Sequence, residues 1–123
     1  ELTRLAEERL GLEHALREAL ERCELELAYQ PILATRGAAP AGFEALLRWH
    51  SASRGEVPPA IFVPVAEATG LIHELGAYAL DRAVRDCAAW QVPWPGLPVA
   101  VNLSPRQLRQ PDIVEQVRAT LLR

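Results

Sequence analysis

"GFEALLRW", residues 42–49, decides how the rest of the chain is read. Its apolar side chains Phe43, Ala45, Leu47 and Trp49 alternate with Glu44, Leu46 and Arg48. That period of two predicts a β-strand with one face packed against other elements. The large apolar set packs on helices, so Glu44, Leu46 and Arg48 point the other way, into the middle of a barrel if the sheet closes into one. A carboxylate and a guanidinium facing inward need a reason, because unpaired buried charge is costly. Three readings stay open from spacing alone: an exposed sheet face, a mutual Glu44–Arg48 ion pair, or the floor of an active site.

The stretches on either side supply partners for this strand. "LELAYQPIL" (25–33) reads as a strand, and "ATRGAAPA" (34–41) supplies turn residues, so the two strands are expected to form an antiparallel hairpin. Residues 1 to about 24 read as a helix, rich in Leu, Ala, Glu and Arg, with Glu13–Arg17 and Glu18–Arg22 at the favourable i,i+4 spacing. "HSASRGEVPP" (50–59) reads as a polar loop, and "AIFVPVAEATG" (60–70) as a short helix started by Pro58 and Pro59 and ended by Gly70. From about Leu71 to Trp90, Ile72, Leu75, Ala79, Leu80, Ala83, Val84 and Cys87 fall on one helical stripe. Asp81 and Arg85 lie off that stripe, spaced to pair. "VPWPGLP" (92–98) stops the helix, and "VAVNLS" (99–104) predicts a third strand. Val99, Val101 and Leu103 take one side of it; Ala100, Asn102 and Ser104 take the other. After Pro111, Asp112 and Glu115 give a capping-box pattern for a last helix through Leu122. Helical crossovers of this length favour an α/β sheet or barrel, and three strands do not close a barrel.

Composition excludes several classes. The 123 residues are 50% hydrophobic and 24% charged, an ordinary globular balance. A net charge of −3 gives no footprint for duplex nucleic acid or an anionic membrane, and no apolar run is long enough to span one. All 13 basic residues are Arg, a bias expected of a GC-rich genome, and Lys is absent. Cys23 and Cys87 have no metal or redox spacing and read as small hydrophobes. His14, His50 and His73 show no ligand spacing and read as solvated or locally bonded. Trp49, Trp90 and Trp94 read as packing residues. No glycine-rich phosphate loop, GxSxG turn or HExxH motif is present. The first residue is not Met, and the chain reads as a piece of a longer protein.

One constellation has chemistry in it. Asn102 lies on the polar side of the third strand, just before the "SP" turn, and functional residues of barrels gather at the C-terminal ends of strands. Glu44 and Asn102 offer hard oxygen donors of the kind that suit Mg²⁺ or Mn²⁺. Gln30, in "YQP", projects from the neighbouring strand. A satisfied amide is the commoner fate of a strand Asn, and both readings stand at this point.

The ordered series "YQPI" (29–32), "FEALLRW" (43–49), "PPAIFVPVAEATGLIHELGAYAL" (58–80), "AAW" (88–90) and "VAVNLSPRQL" (99–108) resembles the EAL family. These are bacterial domains that hydrolyse the second messenger cyclic di-GMP. The resemblance covers nearly everything from Leu20 to Arg123. Residues 1–19 resemble the variable lead-in helix or linker that follows a sensory or cyclase module, and 20–123 the N-terminal half of the domain. The resemblance implies an α/β fold: a partial (β/α) TIM-like barrel with an antiparallel first strand, preceded by a helix. It implies that Glu44 and Asn102 are divalent-metal ligands, for Mg²⁺ or Mn²⁺. It implies that Gln30, Leu46 and Arg48 line the pocket for cyclic di-GMP, and that the reaction is metal-assisted hydrolysis to pGpG. A bacterial, cytoplasmic location follows from the same likeness.

The sequence departs from the family in length. A TIM barrel typically takes ~250 residues. The later family motifs are absent: the Glu after the fourth strand, the paired aspartates, the catalytic Lys, the late Glu and the Gln-Gly segment. The catalytic set is therefore incomplete, and the chain alone is expected to be inactive. Open barrel edges predict a homo-oligomer, since uncovered sheet edges invite pairing. The alternative is a degenerate EAL domain serving as a non-catalytic cyclic di-GMP sensor or protein-interaction module. Degenerate members often lose the Glu at position 44, so its retention favours the enzyme class.

Overall fold

In the computed structural model, which describes residues 2–36 and 40–123, five helices and four strands follow one another in the order α1 (Leu2–Glu21), β1 (Leu25–Leu33), β2 (Pro40–Ser51), β3 (Gly55–Val57), α2 (Pro59–Thr69), α3 (Ile72–Trp90), β4 (Val99–Val101), α4 (Pro105–Leu108) and α5 (Ile113–Leu121). Residues 37–39 of the expected turn lie outside the described residues. The "GFEALLRW" stretch forms the middle of β2, and every other strand pairs with it. β1 runs antiparallel along one edge, with Leu25 opposite Trp49 and Gln30 opposite Glu44. β3 (antiparallel, Trp49 opposite Val57) and β4 (parallel, Phe43 opposite Val99) share the other edge at its two ends. The hairpin and the N-terminal helix match the sequence reading. The path from β2 to β4 is a strand–helix–strand crossover, which a parallel pair requires.

Helix α1 ends at Glu21, short of the expected limit near residue 24. Cys23 adopts a left-handed backbone, φ 57°, that no helix can continue through. The paired charges form as spaced, Arg17 to Glu13 at 3.0 Å and Arg22 to Glu18 at 3.4 Å, and both pairs are solvated. Leu12, Leu16 and Ala19 turn inward. Glu24 then stitches the helix exit to the end of β2. Its carboxylate accepts from the Trp49 indole at 3.1 Å and from Ala52 N–H at 3.3 Å, and its carbonyl accepts from His50 N–H at 3.0 Å.

The core forms where the apolar face of β2 meets the helices. Trp49, Phe62, Leu16 and Leu75 are fully buried, and the Trp49 and Phe62 rings meet edge to face, with centroids 5.7 Å apart. Removing a side chain of that size from water is worth about 4–6 kcal/mol before entropy is charged against it. A smaller aromatic group closes the other end. Trp90 lies 4.6 Å from Tyr29 and 5.8 Å from Phe43, and the Tyr29 hydroxyl donates to Asp86 at 2.5 Å. Burial, and then the hydrogen bond to Asp86, raise the Tyr29 pKa well above its ordinary value.

Five expectations need correction. The loop 50–59 contains β3: Ser51 Oγ accepts from Arg54 N–H at 3.1 Å, and Gly55 at φ 71° turns the chain back for three residues of pairing. The third strand stops at Val101 instead of Ser104, because Ser104 caps the one-turn α4, which Pro105 begins. The capping box is made there, between Ser104 and Gln107. Asp112 makes no such cap; its carboxylate accepts from Gln116 instead. Trp94 is 58% exposed and packs no core, and the His73 Nδ1 atom is buried without a hydrogen bond. His14 and His50 do have local partners, Glu18 and Glu26. Asp81 and Arg85 pair at 3.0 Å as spaced.

One glycine fixes how close β4's approach comes. Phe43 N–H donates to Pro98 O at 3.1 Å, and a Cβ on Gly42 would stand 2.8 Å from that same oxygen. Only glycine lets the two backbones meet there.

Candidate metal and nucleotide site

The second face of β2 carries Glu44, Leu46 and Arg48, and the β1 register sets Gln30, Ala28 and Glu26 directly opposite them. Directly opposed residues of an antiparallel pair share a face. Three of the five candidate side chains, Glu44, Leu46 and Arg48, are half-buried; Gln30 and Asn102 are exposed. β4 brings in the last member. Ala100 is the register partner of Glu44, and Asn102 follows two residues later on the same side. The Asn102 amide donates to Glu44 Oε2 at 2.8 Å, across 58 positions of sequence. Gln30 on β1, Glu44 on β2 and Asn102 just past β4 are therefore brought to one end of the face. Leu46 is in the middle, and Arg48 stands at the far end.

The ion pair that spacing allowed between Glu44 and Arg48 does not form among the described residues. Glu44 is held by Asn102 instead, and Arg48 faces Glu26, whose carboxylate is engaged by His50 at 2.8 Å. The donor set suits a hard cation in part. One carboxylate and one amide oxygen, which an amide flip brings to the same position, are the donors that Mg²⁺ and Mn²⁺ accept. They are too few for a cage of protein ligands. Among the described residues, no three His, Cys, Asp or Glu side chains gather.

Between the sheet and helices α2 and α3 lies a cavity of about 390 Å³, lined in part by Leu46, Arg48 and Asn102 together with Leu47, Leu75 and Leu103. Glu67 and Ser104 also line it and belong to a polar cluster that sequence reasoning missed. Ser104 Oγ donates to Glu67 Oε2 at 2.7 Å, and the Arg106 guanidinium donates to Glu67 O. Ser104 and Gln107 gave a Ser-x-x-Gln signal for the cap, but nothing in the sequence connects either residue to Glu67, 37 positions before Ser104.

The EAL domain family model matches residues 13–123. The chain belongs to the EAL domain family, and its strands, helices and antiparallel first strand are those of the TIM-barrel-like EAL fold, with the sheet left open. MucR of Pseudomonas aeruginosa, named a bifunctional diguanylate cyclase/cyclic di-GMP phosphodiesterase, is 43% identical over 122 residues, covering 96% of this chain and 17% of MucR. The cyclic di-GMP phosphodiesterase PdeR of Escherichia coli is 41% identical over 114 residues, covering 93% of this chain and 17% of PdeR. A solved structure, PaMucR phosphodiesterase in complex with c-di-GMP, superposes with a TM-score of 0.86 at 44% identity, over 91% of this chain and 46% of that one. The chain thus spans about a sixth of the curated relatives it matches, and just under half of that phosphodiesterase structure. No helix among the described residues is long and apolar enough to cross a membrane.

Proposed function

We propose that this chain supplies the first half of a phosphodiesterase site that hydrolyses cyclic di-GMP to pGpG. The observation that carries the reading is the Glu44–Asn102 contact at 2.8 Å, with Gln30 opposite Glu44 on the neighbouring strand. In this reading Glu44 and Asn102 hold a divalent cation, Mg²⁺ or Mn²⁺. Such a cation, when bound, activates water and offsets charge on the phosphoryl oxygens. Gln30 and Leu46 form the wall against which the nucleotide lies, and the half-buried Arg48 guanidinium meets a phosphate or a guanine edge in a fixed fork. Residues 1–19 form the lead-in from an upstream sensory or cyclase module, and 20–123 the half-domain. The segment works in the bacterial cytoplasm.

The chain has no Lys, so it contains no ammonium general acid or base, and hydrolysis needs the remainder of the domain. The test has two arms, each followed by chromatographic separation of cyclic di-GMP from pGpG. The 123-residue chain with Mn²⁺ or Mg²⁺ is expected to yield no pGpG. In the protein carrying the complete domain, Glu44→Gln is expected to lose roughly 10³-fold in turnover, about 4 kcal/mol of barrier, while still binding the nucleotide. Full turnover by Glu44→Gln would remove the basis of the proposal.

A further inference from the structure

We propose that Glu67 is the positioning residue for Asn102, acting through Ser104. The inference rests on reading Asn102 as a metal ligand. Sheet pairing does not hold Asn102 in place. The last register pair of β4 is Ala45 with Val101, so Asn102 is the first residue past the ladder. Its side chain bonds to Glu44 at 2.8 Å, but its backbone is fixed only by the chain that follows.

The chain beyond it is clamped at Ser104, two residues on. Ser104 N–H donates to Gln107 Oε1 at 2.9 Å, and Ser104 Oγ accepts from Arg106 N–H at 3.2 Å. These bonds shape the turn but attach it to nothing else. Attachment comes from Glu67 on α2, whose carboxylate takes the Ser104 hydroxyl at 2.7 Å and whose carbonyl takes the Arg106 guanidinium. Gln107 of α4 completes the clamp by packing on α3: it is 5% exposed, and a Cβ on Gly76 of α3 would stand 1.7 Å from its amide nitrogen.

Glu67 is a half-buried carboxylate with no ion pair among the described residues, and Ser104 is the one side chain among them that donates to it. Stability alone does not explain it, since an apolar side chain would suit a half-buried helix position without the desolvation cost. A hydroxyl-to-carboxylate bond is short and directional, which suits holding a turn at one angle. Partners bonded directly to a metal ligand typically change metal affinity 10–100-fold when removed, and a contact one step further out is expected at the lower end of that range.

The test uses the protein carrying the complete domain, in two measurements. The first is made without metal: the Asn102 side-chain amide signal by NMR. Glu67→Ala is expected to shift and broaden it, and Glu67→Gln, which keeps an acceptor oxygen, to leave it close to the original. Should Glu67→Ala fail to fold, Ser104→Ala removes the same bond from the other end. The second is Mn²⁺ affinity by paramagnetic resonance. Glu67→Ala is expected to weaken it roughly tenfold, and to have no further effect once Asn102 is already Ala. An unchanged Asn102 signal in Glu67→Ala overturns the positioning role. An unchanged Mn²⁺ affinity in Asn102→Ala overturns the metal reading instead, and the amide signal still judges the positioning separately.

Discussion

The two faces of β2 divide its central seven residues four to three and do different work. One presents Phe43, Ala45, Leu47 and Trp49 to the helices, and its members are held by shape against Phe62 and Trp90. The other presents Glu44, Leu46 and Arg48 with Gln30 and Asn102, and among the described residues Asn102 bonds directly to Glu44. Packing tolerates little movement and accepts no water. A site for a charged ligand needs the opposite: partial exposure and donors that are not already satisfied. The alternation of one strand separates the two requirements by a single residue step.

That contrast can be broken from either side. The largest effect is expected at Glu44: Glu44→Gln should lose roughly 10³-fold in hydrolysis within the complete domain and leave the thermal midpoint nearly unchanged. A large loss of stability in that variant would mean the polar face also holds the fold. Trp49→Ala should do the reverse, costing about 3–5 kcal/mol in denaturant unfolding and leaving the fraction that stays folded able to bind nucleotide. Gly76→Ala should cost about 1–3 kcal/mol by driving a methyl into Gln107, measured in the same way. Loss of metal affinity in that variant would tie the packed layer to the site through α4.

The smallest expected effect sharpens the picture on the packed side. Tyr29→Phe removes the hydroxyl bond to Asp86 and should cost about 1 kcal/mol near neutral pH. Because folding raises the Tyr29 pKa, the folded state holds that proton more tightly than the unfolded chain does. The stabilisation is then fully present below the ordinary tyrosine value of ~10 and declines as pH rises above it. Stability profiles of the parent and of Tyr29→Phe should therefore converge in alkali. Parallel profiles would assign the Tyr29–Asp86 bond no part in folding.

Elements with strong local periodicity were legible before the structure. The alternation of 43–49, the strand at 25–33 and the stripe from Ile72 to Cys87 each repeat often enough to outweigh local accidents. The features that were not legible depend on single bonds between distant residues. β3 is three residues long and exists because Ser51 and Gly55 turn the chain. The end of β4 depends on whether Ser104 pairs or caps, and its hydroxyl decides for the cap. For the candidate site, the sequence offered residue types and a shared face but not the contacts. Glu44 and Arg48 share a face as expected, but Asn102 rather than Arg48 is the partner of Glu44, because the β4 register and not the spacing within β2 determines the neighbour.

Gly42 shows how far that dependence reaches. The hydrogen atom it carries in place of a methyl lies at the opposite end of β4 from Asn102, where Pro98 O comes to rest on Phe43 N–H. The docking of that oxygen acts as the origin of a scale along which β4 is laid: Val99 against Phe43, Ala100 against Glu44, Val101 against Ala45. Move the origin by the width of a methyl group and every graduation moves with it, including the last, where an amide must fall within reach of a carboxylate. The alignment of the polar site is calibrated by an atom that is absent, three residues of pairing away.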